Sequence, residues 1–223
     1  MKSKFAALAV AAMLASPAAA LADSPQHLVD STTLAVQDMM GGPVGDQAEK
    51  LLTRARAVVV CPDIFRAGFI IGGEGGGCLM LARNEEGGWS DPAFYTLGSG
   101  SFGFQAGVQS AEVMMLVMTQ GGLNALLSSQ FKFGADAGLT VATLGAGVNG
   151  SMSTALDADI VTVSKTQGLY GGISLQGSIL AGDASTDEDY YGAPYDARQI
   201  VVRLEGSNPG ARPLRGILRR YGG

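Results

Sequence analysis

"IIGGEGGGCLML", residues 70–81, sets five glycines and one acid, Glu74, between two apolar runs. Glycine in such a density serves either a loop that cradles a phosphate or a close turn of β structure. A Walker-type loop ends in Gly-Lys-Ser/Thr, and a dinucleotide fingerprint is Gly-x-Gly-x-x-Gly at the opening of a helix. This stretch is neither, because Glu74 and Cys78 stand where glycine would be required. Two other stretches do match the fingerprint, at Gly98, Gly100, Gly103 and at Gly145, Gly147, Gly150. With 33 glycines in 223 residues, chance alone supplies about 0.7 such matches, and both continue into strand-like alternation or polar loop instead of a helix. No nucleotide is expected, and residues 70–81 read as a hairpin or bend joining two core strands.

Outward from this stretch the pattern is mostly that of strands. Val58-Val59-Val60-Cys61 is a β-branched run stopped by Pro62, with Asp63 to Gly68 reading as one helical turn before the next strand. "NEEGG" (84–88) is turn chemistry and predicts a hairpin into Ala93–Leu97. From Phe102 to Gln109 large and small residues alternate with period two, "EVMMLVMT" follows as a buried strand, and "FKFGADAGLTVATLGAGV" and "GGISLQGSIL" carry on the theme. "FGFQAG" (102–107) and "FGADAG" (133–138) place paired glycines on one side of a strand. Strand glycines weaken a sheet unless it must bend or admit a neighbouring backbone. Helices flank these strands. Ser24-Pro25 followed by Gly41-Gly42 brackets residues 25–40, Asp46 with Glu49 reads as a capping box for a second helix, "GGLNALLSS" as a short third, and "RPLRGILRRY" as part of a C-terminal helical region. The fold class predicted is α+β: a strongly curved antiparallel sheet or barrel of glycine-rich strands with N-terminal and C-terminal helices.

Lys2 and Lys4, an apolar run from Phe5 to Leu14 and Ala20-Leu21-Ala22 form the three parts of a signal peptide, so residues 1–22 are expected to be removed near Ala22-Asp23 and the product to be periplasmic or secreted. Residues 23–223 are expected to form a single domain with a basic C-terminal tail. Without Lys2 and Lys4 the chain holds 13 basic against 20 acidic side chains, a formal charge of −7, which argues against nucleic acid as a partner. The charge is segregated: residues 84–197 carry a net −10, whereas residues 198–223 carry six arginines against Glu205.

No catalytic constellation emerges. The only histidine, His27, precedes any core element, and no nucleophile elbow is present. One histidine and two cysteines without metal spacing give no zinc site. The acidic run Asp183, Asp187, Glu188, Asp189 lacks calcium-loop spacing and reads as a solvated acidic loop. No catalytic residue, metal or cofactor is therefore expected. Cys61 and Cys78 leave two alternatives open, a disulfide across the glycine stretch or two buried thiols on neighbouring strands. The arginines of the tail suit phosphate, which a planar guanidinium grips with two parallel hydrogen bonds, and equally suit the carbonyl end of a helix.

"RARAVVVCPDIFRAGFIIGGEGGG", "GFQAGVQSAEVMMLVMTQ", "FKFGADAG" and "GLYGGISLQGSIL" followed by "YYG" resemble the SYLF lipid-binding domain family, also described as the actin-binding domain of a yeast endocytic protein, over about residues 25–204. The resemblance implies a non-enzymatic module that binds membranes, phosphoinositide-containing ones in eukaryotic relatives, with actin bundling in some. The expected partner is thus an anionic membrane lipid of the bacterial cell envelope. Arg212, Arg215, Arg219 and Arg220, with Arg54, Arg56 and Arg66, are the candidate headgroup contacts. The alternative is a protein-interaction or assembly module without a lipid ligand.

Overall fold

In a computed structural model, residues 24–68, 71–102, 107–135, 139–145, 157–167 and 175–223 are described. The signal-peptide segment, residues 103–106 and 136–138 of the two Phe-Gly echoes and residues 171–174 lie outside them.

Helix α1, Pro25–Met40, begins where the sequence places it: the Ser24 side chain accepts the His27 N–H and Pro25 occupies the first turn. Val29, Val36 and Met39 form its buried face. Helix α2, Gly45–Leu52, starts one residue earlier than expected, and its N-cap is Val44. The Asp46–Glu49 box therefore does not form; Asp46 sits inside the first turn, where a carboxylate still favours the positive end of the helix.

Among the described residues eight strands follow: β1 (Ala57–Gly68), β2 (Ile71–Ala82), β3 (Ala93–Phe102), β4 (Gly107–Val117), β5 (Gln130–Lys132), β6 (Val141–Gly145), β7 (Ile160–Gln167) and β8 (Ile179–Gly182). They form one strongly curled half-barrel sheet in the order β5-β8-β3-β2-β1-β4-β7-β6. Among the described residues every pairing is antiparallel except β6 with β7, which is parallel. Helix α3 (Gln120–Leu126) lies between β4 and β5, and α4 (Ala184–Tyr191), α5 (Ala197–Val201) and α6 (Arg212–Gly222) close the chain.

The continuous apolar runs arise because the central strands are buried on both faces. Val58 and Val60 face one core with Leu79, Leu81, Met114 and Leu116, beneath α1, α2 and α6. Val59 and Cys61 face the other, with Met80, Val113 and Met115, closed by α3, the β5 region and α5.

The glycine stretch is a strand, not a bend: residues 71–80 pair in unbroken register with β3. Its glycines answer to close neighbours. A Cβ on Gly77 would lie 2.9 Å from Leu28 Cδ2 of α1, and one on Gly76 would lie 2.2 Å from the carbonyl oxygen of Asp63. Asp63 projects there because β1 continues through residues 63–68 with a bulge after Cys61, where a helical turn was expected. The sulfur atoms of Cys61 and Cys78 are 1.99 Å apart, a disulfide between adjacent strands. Two more expectations change: Gly134 and Gly177 lie in turns with φ of +82° and +84°, so strand β8 begins only at Ile179. The run 183–189 is the start of α4, with the Asp183 carboxylate as its N-cap, and not a loop.

Candidate functional site

Arg83, which follows the last residue of β2, organises one end of the molecule. Its guanidinium lies over the Trp89 ring, 4.5 Å from the centroid. Nε donates to the Ala55 carbonyl at 3.2 Å, and Nη2 donates to Leu52 and Gly222, each at 3.0 Å. Nη1 donates to Gly87 at 2.9 Å and Gly223 at 3.0 Å. One side chain thus ties the ends of α2 and α6 to the 84–88 turn, and three of its five hydrogen bonds go to oxygens at helix ends, those of Leu52, Gly222 and Gly223. Burial lowers its pKa from the ordinary value, yet an arginine keeps its charge.

The cations gathered at this end are those flanking the carbonyls. Arg54 and Arg56 bracket Ala55, Lys50 is in the last turn of α2, and Arg219 and Arg220 are in the last turn of α6. All four arginines are exposed, and Arg220 lies 5.7 Å from the Tyr221 ring centroid. Glu85 and Glu86, also exposed, sit on the adjoining turn. Two helix C-termini contribute partial negative charge, so the arginines both complement the helices and present N–H donors outward.

The remaining candidates lie elsewhere. Arg212 is exposed at the start of α6. Arg215 donates from Nη1 to Asp91 at 3.0 Å, and that carboxylate, 8% exposed, also accepts the Asn208 N–H at 3.3 Å. Burial raises the Asp91 pKa, against the pull of these two partners. Arg66 donates from Nε to Glu74 at 2.8 Å, with Nη2 2.5 Å from the same oxygen. The other Glu74 oxygen accepts the hydroxyls of Ser99 at 2.9 Å and Ser178 at 2.8 Å. Glu74 is therefore the centre of a polar link joining β1, β2, β3 and the turn before β8, and Arg66 and Arg215 are engaged with carboxylates. Sequence reading missed Arg83; its only local signal is a lone cation between an apolar strand and a turn that ends in the sole tryptophan.

Among the described residues no group of three His, Cys, Asp or Glu side chains could hold a metal ion. The acids of α4 are used otherwise. Asp183 accepts Thr186 N–H at 3.1 Å, and Asp187, 2% exposed, accepts Phe94 N–H at 2.9 Å. Burial pushes the Asp187 carboxyl up to about 7, with Asp183 and Asp196 adding to it. A carboxyl whose folded pKa is raised contributes its stability below the unfolded value of about 3.9, and loses it as pH rises towards the folded one. Wild-type protein is expected to lose on the order of 2 kcal/mol more stability between pH 5 and pH 8 than Asp187→Asn, measured by urea unfolding at stepped pH. Parallel curves for the two proteins would refute this.

A curled sheet covered by helices on both faces, with cations clustered at one end, defines the chain as an α+β module that presents a charged surface. It belongs to the Ysc84 family, described as "Las17-binding protein actin regulator" and also called SYLF, whose model matches residues 98–221. The chain is 27% identical over 142 residues to "SH3 domain-containing YSC84-like protein 1" of Rattus norvegicus, covering 63% of this chain and 42% of that protein. The protein of the same name in Homo sapiens is 24% identical over 142 residues, covering 63% and 41%. "LAS seventeen-binding protein 3" of Saccharomyces cerevisiae is 24% identical over 173 residues, covering 75% and 37%. The chain thus spans about two fifths of the length of these relatives. The family match takes in Arg212, Arg215, Arg219 and Arg220, and begins after Arg54, Arg56, Arg66 and Arg83.

Proposed function

We propose that this chain is a non-enzymatic module of the cell envelope, exported after cleavage near Ala22-Asp23, that binds anionic lipid headgroups through Arg54, Arg56, Arg219 and Arg220. The observation that carries this reading is the Arg83 node, which holds the ends of two helices together and so brings two exposed pairs, Arg54 with Arg56 and Arg219 with Arg220, to one end of the molecule. No helix among the described residues is long and apolar enough to cross a membrane, and the reading is of surface contact. Each cation near an anionic surface contributes about 1 kcal/mol.

Co-sedimentation with vesicles of phosphatidylglycerol and phosphatidylcholine, against phosphatidylcholine alone, tests it. Binding is expected only to the anionic vesicles and is expected to weaken as salt rises from 50 to 200 mM, following the screening of exposed charges. Replacing all four arginines by alanine is expected to lower affinity by roughly 100-fold or more. Equal binding to both vesicles, or none to either, would overturn the reading.

A second reading, a protein-interaction module, draws on the relatives' names, which record Las17 binding for those proteins. In that case the protein would ignore both vesicles and its four-arginine variant would still bind its partner.

A further inference from the structure

A second surface, on the sheet face beneath α1, has a different character. Leu34 on α1 is 64% exposed, although Val29 and Val36 of the same helix are fully buried. With Ala35 and Asp38 it forms one wall of an open cleft of about 710 Å³ whose other wall is Pro62 and Asp63 of β1 and whose floor is Glu112 of β4. The bulge after Cys61 places Pro62 and Asp63 there. Phe65, 52% exposed, continues the apolar surface along β1, opposite Ser110, whose hydroxyl donates to Asp63.

Three carboxylates line this cleft against one cation, Lys165 of β7, which pairs with Asp38. Glu112 Oε2 is shielded from solvent and accepts no hydrogen bond from a donor group, its carboxyl lying within hydrogen-bond reach of the Asp38 carboxylate. An acceptor left so is costly unless a donor arrives. Burial, with Asp38 and Asp63 nearby and only Lys165 opposing, pushes the Glu112 carboxyl up to about 7, as expected where negative charge outweighs positive. No trio of ligands converges among the described residues as a metal ion would need. The cleft is also walled by Leu34, Ala35 and Pro62, so a cation carried on an apolar chain suits it better than a free ion.

We propose that this cleft docks a segment of a partner protein that carries lysine or arginine flanked by apolar residues, the cation meeting Asp38, Asp63 and Glu112 and the apolar neighbours covering Leu34 and Phe65. Charge complementarity sets the occupant: net negative walls select a cation, and exposed apolar rims select what lies beside it.

The probe is a fluorescein-labelled nonapeptide alternating arginine and leucine, titrated into the full chain by fluorescence anisotropy, beside two control peptides with glutamate for arginine or serine for leucine. Saturable binding of the first peptide alone is expected. Leu34→Ser and Asp63→Asn are expected to weaken it at least tenfold, while Glu188→Gln, an exposed acid on α4, leaves it unchanged. Leu34 is exposed enough that its serine variant should melt with the wild type, which keeps the test separate from folding. Equal affinity for all three peptides, no saturation, or indifference to Leu34→Ser and Asp63→Asn would overturn the proposal. So would concentration-dependent dimers of the chain alone that vanish in Leu34→Ser, since the occupant would then be a second copy.

Discussion

Arg83→Ala is expected to cost about 4 kcal/mol of folding stability, read from urea unfolding monitored at Trp89. The figure follows from what one guanidinium does here. It donates five hydrogen bonds to main-chain oxygens and lies on the Trp89 ring. Bonds from a charged donor contribute about 1.5–3 kcal/mol each, and the part-buried site lets water recover only some of them, so the sum is discounted. Arg83→Lys is expected to recover less than half, because an ammonium offers three donors from a point and cannot span five carbonyls. A loss below about 1 kcal/mol for Arg83→Ala would mean that the ends of α2 and α6 hold together without it.

Glu74→Ala is expected to cost about 3 kcal/mol by the same measurement. The Glu74 side chain is 1% exposed and that of Arg66 32%, so removing the acid strands a partly buried cation and leaves the Ser99 and Ser178 hydroxyls without their acceptor. The partial exposure of Arg66 keeps the figure at the low end for a broken ion pair. The double variant Arg66→Met/Glu74→Leu should restore most of the loss, since two apolar side chains leave no charge unpaired. A double variant as unstable as Glu74→Ala would show that the hydroxyls, not the ion pair, carry the effect.

What the sequence made legible is what local chemistry decides. Ser24, Pro25 and Gly41 fix both ends of α1 because a cap, a ring and a C-terminal glycine act within one turn. The runs around Val59 and Met115 announce buried strands by their side chains alone. The glycine stretch misleads because its cause is tertiary: Leu28 and the Asp63 carbonyl, which crowd Gly77 and Gly76, belong to other elements. Residues 63–68 read as a turn since Pro62 signals a break, whereas a bulge lets the strand pass. The tail arginines were legible as a basic patch, but not the division of labour among them. Arg215 meets Asp91, more than a hundred residues away in the chain, while the segments of Arg54 and Arg56 and of Arg219 and Arg220 are joined by Arg83 and by the packing of Leu52 near Gly222. The acids of 183–189 looked alike in sequence, yet Asp183 caps a helix and Asp187 is buried against Phe94.

The strand order bears on how the chain reaches this state. β1 pairs with β2 locally, but its other neighbour is β4, so Ala57 must find Val117 across the intervening β2 and β3. The parallel β6–β7 pair and the pairing of β8 with β3, far apart in sequence, add further non-local contacts. Loop-closure entropy is met before such pairings give anything back, which places folding of this chain in the slow, millisecond-to-second class and leaves apolar strand edges open to other chains in the interval.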